Sequence, residues 1–317
     1  MTNKEKYKIF CEKEKSISVF SQGWWLDIVC GSDNWDILLV EKGGSIFASM
    51  PFYIVEKMSF KNITHPILTQ TMGIYFKYPK NQKYYKKLSF EKEMITKLLI
   101  QLPNFDQFSQ SFHHQHTNLL PFYWLGYSIN SYYTYVIEKI TLEALEKGFE
   151  SDIRRRIKKA SELGIHVYES DDIESFYELN KMSYERHNRE IFYSFEFFKN
   201  LYTESIKNNS GKLFVAKDKE GNIIAGSFLV YDKSTVYYLM GGVESSKKDL
   251  GAMDVLLSEN IKFALANNKK FDFEGSMVES IEKYFRSFGA IQKPYFNVSK
   301  TNSLLLNLYT TVKNILK

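Results

Sequence analysis

The chain has 317 residues, 44% hydrophobic and 25% charged, with 42 Lys and Arg against 37 Asp and Glu for a net charge of +5; this suits two ordinary globular domains and excludes a disordered chain. Two cysteines, Cys11 and Cys30, exclude a disulfide framework, and the absence of a CxxC pair argues against zinc. A charged N-terminus and the lack of an apolar run of about 20 residues predict a cytoplasmic protein, and the mild positive excess suits an anionic partner such as a nucleotide, a sugar phosphate, tRNA or an acidic membrane surface.

In chain order, the first element is a hairpin at 36–55 turning at EKGG, where glycine supplies the positive φ of a tight turn. A mobile aromatic stretch follows. A helix is predicted at 89–101, with Ser89 as its cap and Met94, Leu98 and Leu99 on one face. Strands are expected at 105–112 and around 126–137. Between them HHQH, His113 to His116, has no zinc-helix spacing and no cysteine nearby, so it reads as a polar loop and no metal is expected.

Thr141 opens helical material that runs to Leu163, where Gly164 supplies a left-handed stop. A strand at 165–169 leads to a helix from Asp171 to about His187. Ser194 caps another through Ile206. Three strands at 212–217, 223–231 and 235–242 precede a long helix at 252–266 and a strand at 270–273. A short helix at 280–288 and a strand at 293–298 follow. The last residues, LLLNLYTTVKNIL, form an amphipathic helix with Leu304, Leu305, Leu308 and Val312 as its apolar stripe and Lys313 and Lys317 near its end.

The chain echoes itself. Residues 37–57 and 213–233 both read as apolar strand, charged Gly turn and longer apolar strand. With Gly44 set on Gly221, Lys42 falls on Lys219, Ile46 on Ile223 and Ala48 on Ala225. FYWLGY at 122–127 is matched in the same order by YFRSFGA at 284–290. Two echoes in one order imply a duplicated unit.

The chemistry-bearing residues sit in the second half. The strand ending at Gly241-Gly242 runs through a polar loop to a helix opening at Gly251-Ala252. Such a helix start offers free N–H groups and a positive dipole end, and Lys247 and Lys248 add charge, so the segment can hold a phosphate or pyrophosphate. Asp272 and Glu274 straddle Phe273 at a strand end. Alternation would put both on one face, where a carboxylate can orient or deprotonate an amine. In RRR, residues 154–156, Arg154 and Arg156 flank the buried stripe and Arg155 points away. Arg186 and Arg189 lie in a loop between helices beside His187, a candidate base. Arg286 follows Phe285 and suits a phosphate or a developing oxyanion.

The order strand, loop, Gly-bearing helix start, strand DFEG, short helix and strand resembles the second half of the GNAT acyltransferase fold. DIRRRIKKASELGIHVYE at 152–169 and KFDFEGSMVESIEKYFRSFGAIQKPYF at 270–296 extend the resemblance to the tandem-GNAT group that holds the FemAB peptidyltransferases and acetyltransferases of polysaccharide synthesis. It implies an α/β protein of two tandem GNAT-like domains, each a mixed twisted sheet flanked by helices. The expected division is a degenerate domain at 1–140, a second at 141–300 and the helix at 301–317. The loop that binds the pyrophosphate of coenzyme A in this family is half matched by Lys248-x-x-Gly251-Ala252, with Met253 where Gly or Ala is usual. Phe285-Arg286 stands at the aromatic–basic pair typical of Fem-like proteins.

The resemblance implies an acyltransferase working by direct attack in a ternary complex on a cell-envelope or sugar- or nucleotide-linked precursor. Acyl-CoA would be its co-substrate, and no cofactor would be permanently bound. Two alternatives stand beside it, aminoacyl-tRNA-dependent peptidyl transfer and a non-catalytic binding protein of the same fold. The expected catalytic residues are Asp272, Glu274 and Arg286. Those for the donor are Lys247, Lys248, Gly251 and Ala252, and those for the acceptor are Arg154, Arg186 and Phe285. Arg286, Arg186 and Arg154 are expected to converge on one cleft. The expected partners are a small-molecule or lipid-linked acceptor, tRNA under the first alternative, no DNA, and peripheral contact with the inner face of the membrane.

Overall fold

A computed structural model describes residues 1–186 and 188–308. In chain order its elements are α1 (Asn3–Lys13), α2 (Gly23–Cys30), β1 (Trp35–Lys42), β2 (Ser45–Lys57), β3 (Phe60–Thr64), β4 (Tyr75–Phe76), α3 (Tyr84–Leu99), β5 (Gln107–Phe112), α4 (Leu120–Trp124) and β6 (Ser128–Ile137). They continue with α5 (Leu142–Gly148), α6 (Ser151–Glu162), β7 (His166–Ser170), α7 (Ile173–Glu185), α8 (Phe195–Lys207), β8 (Gly211–Lys217), β9 (Ile223–Tyr231) and β10 (Thr235–Val243). The last are α9 (Ala252–Ala266), β11 (Lys270–Asp272), α10 (Glu279–Arg286) and β12 (Ile291–Thr301).

The chain divides into a first unit, residues 1–132 with the chain from Pro294 onward, and a second unit, Tyr133–Lys293. In the first, β1 pairs antiparallel with β2, β2 with β3, β3 parallel with β5, and β5 antiparallel with β12. In the second, β7 precedes the same programme. There β8 pairs antiparallel with β9, β9 with β10, β10 parallel with β11, and β11 antiparallel with β6. The parallel pair in each unit needs a crossover, and α3 and α9 supply it. The matched hairpins turn where the sequence places glycine, at Gly43 and Gly44 (φ 56° and 71°) and at Gly221 (φ 87°).

The unit boundaries differ from those expected at 140 and 300, because they fall inside β6 and β12. Gly126 and Gly289, both at positive φ, end the turns after α4 and α10 and release strands of 10 and 11 residues. The far end of each strand completes the sheet of the other unit: Val136 and Ile137 pair with β11, and Phe296–Thr301 pairs with β5.

Each unit has its own core. The first centres on Phe108, Phe112 and Phe122 under Met94 and Leu98 of α3. The second centres on Phe271, Phe273, Phe285 and Phe288 under Leu257 and Ile261 of α9. Strand alternation in β9 shows which helices take which face of the second sheet. A methyl at Gly226 would lie 2.7 Å from Phe176 of α7, and Phe228 packs on Phe198 of α8. The intervening Ser227 accepts a hydrogen bond from Asn260 of α9 at 2.7 Å. Hence α7 and α8 cover one face, and α9 with α6 and α10 the other.

The caps at Thr141 and Ser194 form as expected, accepting from the N–H groups of Ala144 and Phe197. The helix predicted at 89–101 instead begins at Tyr84, and Ser89 lies inside it, donating to the Tyr85 carbonyl at 3.0 Å. Its lysine-rich opening has no side-chain cap to announce it. The aromatic stretch before it carries β3 and β4. The helical material from Thr141 is two helices, α5 and α6, broken where Phe149 turns extended. His187, Val312, Lys313 and Lys317 lie outside the described residues. Leu304, Leu305 and Leu308 are exposed.

Candidate active site

In the second unit β10 and β11 pair only through Thr235–Tyr237 and Lys270–Asp272. Beyond Tyr237, β10 runs on to Val243 along β9, with a bulge between Tyr238 and Met240. The strands β10 and β11 therefore part after three residue pairs. The β11 side of β10 from Tyr238 onward has no strand partner among the described residues of this unit. Gly241 and Gly242 sit on this free stretch. A methyl at Gly241 would lie 1.9 Å from the Tyr238 hydroxyl, and one at Gly242 would lie 2.4 Å from the backbone of Leu179 in α7. The glycine pair thus lets a phenol close on one side of β10 and a helix backbone on the other. Asn180 of α7 donates to the Gly241 carbonyl at 2.7 Å and accepts from the Tyr193 hydroxyl.

At the fork sit the two carboxylates singled out from sequence. Asp272 is 2% exposed. Burial pushes its carboxyl up to about 6, although the Thr134 hydroxyl and the Glu274 N–H, at 2.9 Å, both donate to Oδ1. Glu274 is half-buried, and burial together with the nearby Asp272 raises its carboxyl well above the usual range. The two do not share a face by alternation, as expected from sequence, because β11 stops at Asp272 and Glu274 takes a left-handed φ of 61°. Gly275 follows at φ 66°, so close to β6 that a methyl there would lie 2.3 Å from the Tyr133 carbonyl. A non-glycine residue held at positive φ is a mark of a site under constraint. The intervening Phe273 stacks on Phe285 with ring centroids 4.7 Å apart.

The start of α9 was expected to hold an anion, and the acidic residue of its first turn is engaged by its neighbours. Asp254, in the first turn and 4% exposed, receives both Nε and Nη2 of Arg156 at 3.0 and 3.1 Å. The Tyr284 hydroxyl donates to the same carboxylate at 3.0 Å, and the Tyr238 hydroxyl lies 3.8 Å from the Met253 sulfur. The carbonyl of Arg156 lies 2.6 Å from where a Gly251 side chain would begin, and Ala252 is fully buried. Lys247 is already paired with Asp218 at 2.8 Å, which helps hold that carboxyl at about 2. Of the four residues assigned to the donor, only Lys248 is exposed with no ion-pair partner among the described residues.

The arginines separate. Arg154 donates to the carbonyls of Phe149 and Lys147, closing the end of α5. Arg155 faces solvent beside Asp152 at 3.2 Å. Arg286 pairs on its own helix with Glu282 at 2.9 Å, whose carboxylate also accepts from Tyr135. Arg154 and Arg286 belong to the α9 face of the sheet. Arg186 is the exposed C-cap of α7, on the opposite face. The three arginines thus stand on helices from both faces of the sheet. The sequence reading missed Arg156–Asp254, Tyr238 and Tyr284. An Asp in the first turn of a helix facing an Arg-rich helix was the available signal. In HHQH, His116 turns inward: its Nε2 accepts from the Ile74 N–H at 3.2 Å, and burial lowers its imidazole to about 4.

Residues 147–284 match the family described as acetyltransferase (GNAT) domain. None of the curated proteins matches the chain. Among solved structures, FemX superposes with a TM-score of 0.68 at 14% identity, covering 98% of each chain. L-PGS from Bacillus licheniformis superposes with a TM-score of 0.57 at 12% identity, covering 98% of this chain and 96% of its own. These likenesses carry the tandem-GNAT, FemAB-like architecture that the sequence resemblance implied.

Proposed function

We propose that this GNAT-type acyltransferase, with the fold of FemX, takes its acyl group from an aminoacyl-tRNA and transfers it to an amine of a cell-envelope precursor. The observation that carries this reading is the Arg156–Asp254–Tyr284 cluster at the start of α9. A pyrophosphate docked there would have to displace a bidentate ion pair and meet a buried carboxylate, and like charges at that range repel. The donor of the Fem proteins carries its acyl group as a tRNA ester and needs no pyrophosphate at that position.

The transfer follows from the fork between β10 and β11. The acceptor nitrogen attacks the ester carbonyl, a C–N bond forms, and the bond to the terminal ribose oxygen breaks. The ammonium proton passes to the Glu274 carboxylate, which returns it to the leaving ribose oxygen. Asp272 positions Glu274 through its bond to the Glu274 N–H. The edge of β10 beyond Tyr237, without a strand partner among the described residues of this unit, offers N–H groups to the developing oxyanion. Lys248 is exposed and can meet phosphate groups of the substrates.

Thermal melting with acetyl-CoA, longer acyl-CoAs and aminoacyl-tRNA tests the donor, since a ligand that binds only the native state raises Tm. The expected result is a rise with aminoacyl-tRNA alone. A rise with an acyl-CoA alone overturns this reading and favours the coenzyme A reading. Glu274→Gln is expected to lower kcat by about 10²–10⁴-fold with little change in Tm.

A further inference from the structure

We infer that the first unit docks on an anionic lipid surface through the start of α3 and the outer side of α4, an activity separate from acyl transfer and independent of the donor. The α4 sequence LPFYW divides sharply. Pro121 and Phe122 are buried in the core, whereas Tyr123 and Trp124 are 65% and 61% exposed, with Leu120 and Leu125 exposed beside them. On the buried side Phe122 packs on Phe108, Phe112 and Tyr127.

The start of α3 presents Tyr84 and Tyr85 in the same manner, 75% and 61% exposed. The two elements are joined. Lys92 of α3 lies over the Trp124 ring at 5.4 Å, and Asn118 donates to the Leu88 carbonyl at 3.1 Å. Tyr85 and Lys92 stand two turns apart on one helix face. Lys300 donates to the Leu125 carbonyl at 2.8 Å, adding a charge at the other rim.

Charge decides the occupant. From Glu56 to Glu91 the sequence has no acidic residue, and Lys77, Lys80, Lys83, Lys86 and Lys87 crowd the approach to α3. The first turn of α3 carries no acid and its N-cap no side-chain bond, so the positive end of the helix adds to the field. Tryptophan and tyrosine settle at the headgroup level of a bilayer, and lysines beside them meet lipid phosphates. A second copy of the chain would set lysine against lysine. RNA bases stack on aromatic rings, but the aliphatic Leu120 and Leu125 offer them no π-face, whereas acyl chains cover both.

The test is co-sedimentation of the full chain with vesicles of phosphatidylcholine alone and of equal parts phosphatidylcholine and phosphatidylglycerol. Binding is expected only to the second. Lys83→Gln is expected to weaken it about fivefold, the effect of one lysine at an anionic surface. Tyr123→Ala with Trp124→Ala is expected to reduce sedimentation below detection, with unchanged circular dichroism as the check on folding. Lipids brominated in the acyl chain should quench tryptophan fluorescence in a Trp24→Phe background and not once Trp124→Phe is added to it, since Trp25 and Trp35 are buried and Trp24 only partly so.

The proposal is overturned by any of five results. These are no binding to anionic vesicles, equal binding to both kinds, or quenching that persists once Trp124→Phe is added to Trp24→Phe. The fourth is binding that is lost on removal of residues 303–317 but kept in Lys83→Gln and the α4 variant, which would move the anchor to those residues. Displacement of vesicles by tRNA in the wild type but not in Lys83→Gln would assign the surface to RNA and equally overturn it.

Discussion

The two units run the same strand programme, yet the helices that open onto solvent differ between them. Setting Gly126 on Gly289 aligns Phe122 with Phe285, both buried, and then Tyr123 with Arg286, both exposed. The third residue of α3 is Lys86, and the third of α9 is Asp254. The positions that build the repeat are therefore the turn glycines, the buried aromatic and the paired strands. The adjacent positions carry no folding duty common to both copies, and at the third residue of the long helix they have taken opposite charges. One copy closes its long-helix start with an ion pair, and the other leaves it open among lysines.

The comparison breaks hardest at Gly242, which has no counterpart in β3. Gly242→Ala places a methyl 2.4 Å from the Leu179 backbone, so α7 must leave β10. A cost of about 4 kcal/mol or more is expected by urea denaturation, in the range of severe overpacking. An effect near zero would mean that α7 is not seated on β10.

Next comes the buried acid of the fork. Asp272 holds its proton up to about 6 in the folded chain, above its ordinary 3.8. Between those values the folded state binds more protons than the unfolded one, so stability falls as pH rises through that window and levels off above it. The loss relative to Asp272→Asn is expected to approach about 3 kcal/mol by pH 7. Parallel stability–pH curves for the two proteins would show that Asp272 ionises freely.

Asp254→Asn tests the closed helix start. Loss of the charged partner of Arg156 is expected to cost about 1–3 kcal/mol, less than for a fully buried pair because the arginine is partly solvated. Arg156→Gln should add little to it in a double-mutant cycle. Full additivity would show that the two residues do not act as a pair.

The smallest effect is the converse change in the other copy. Lys86→Asp places a carboxylate in the first turn of α3, where Asp254 stands in α9, and is expected to raise stability by about 0.5–1 kcal/mol at low salt. The gain should vanish in high salt. A fall in stability would mean that the lysines there hold the helix rather than a ligand.

Much of the architecture was legible because it rests on local rules. Thr141 and Ser194 cap helices, Gly164 and Gly221 take positive φ, and period-two and period-3.6 patterns place most strands and helices of the second unit. The echo of 37–57 in 213–233 exposed the duplication for the same reason, since a hairpin is written in contiguous residues. The start of α3 was missed because its helix rests on packing of Met94, Leu98 and Leu99 rather than on a cap. The carboxylates Asp272 and Glu274 were legible as residues but not as geometry. Alternation holds only while a strand continues, and β11 ends between them.

Sequence by itself determined the repeat, the α/β class and the acidic pair at the end of β11, all consequences of backbone preference and side-chain period. Tertiary structure alone decided that β6 and β12 each complete the sheet of the other unit, that Arg156 rather than Arg154 meets a carboxylate, and that the helices bearing Arg186 and Arg286 cover opposite faces of the sheet. Those outcomes depend on which groups from distant segments are buried together. An ion pair between residues 98 positions apart forms only where packing brings both into one desolvated place, and no local pattern encodes that distance.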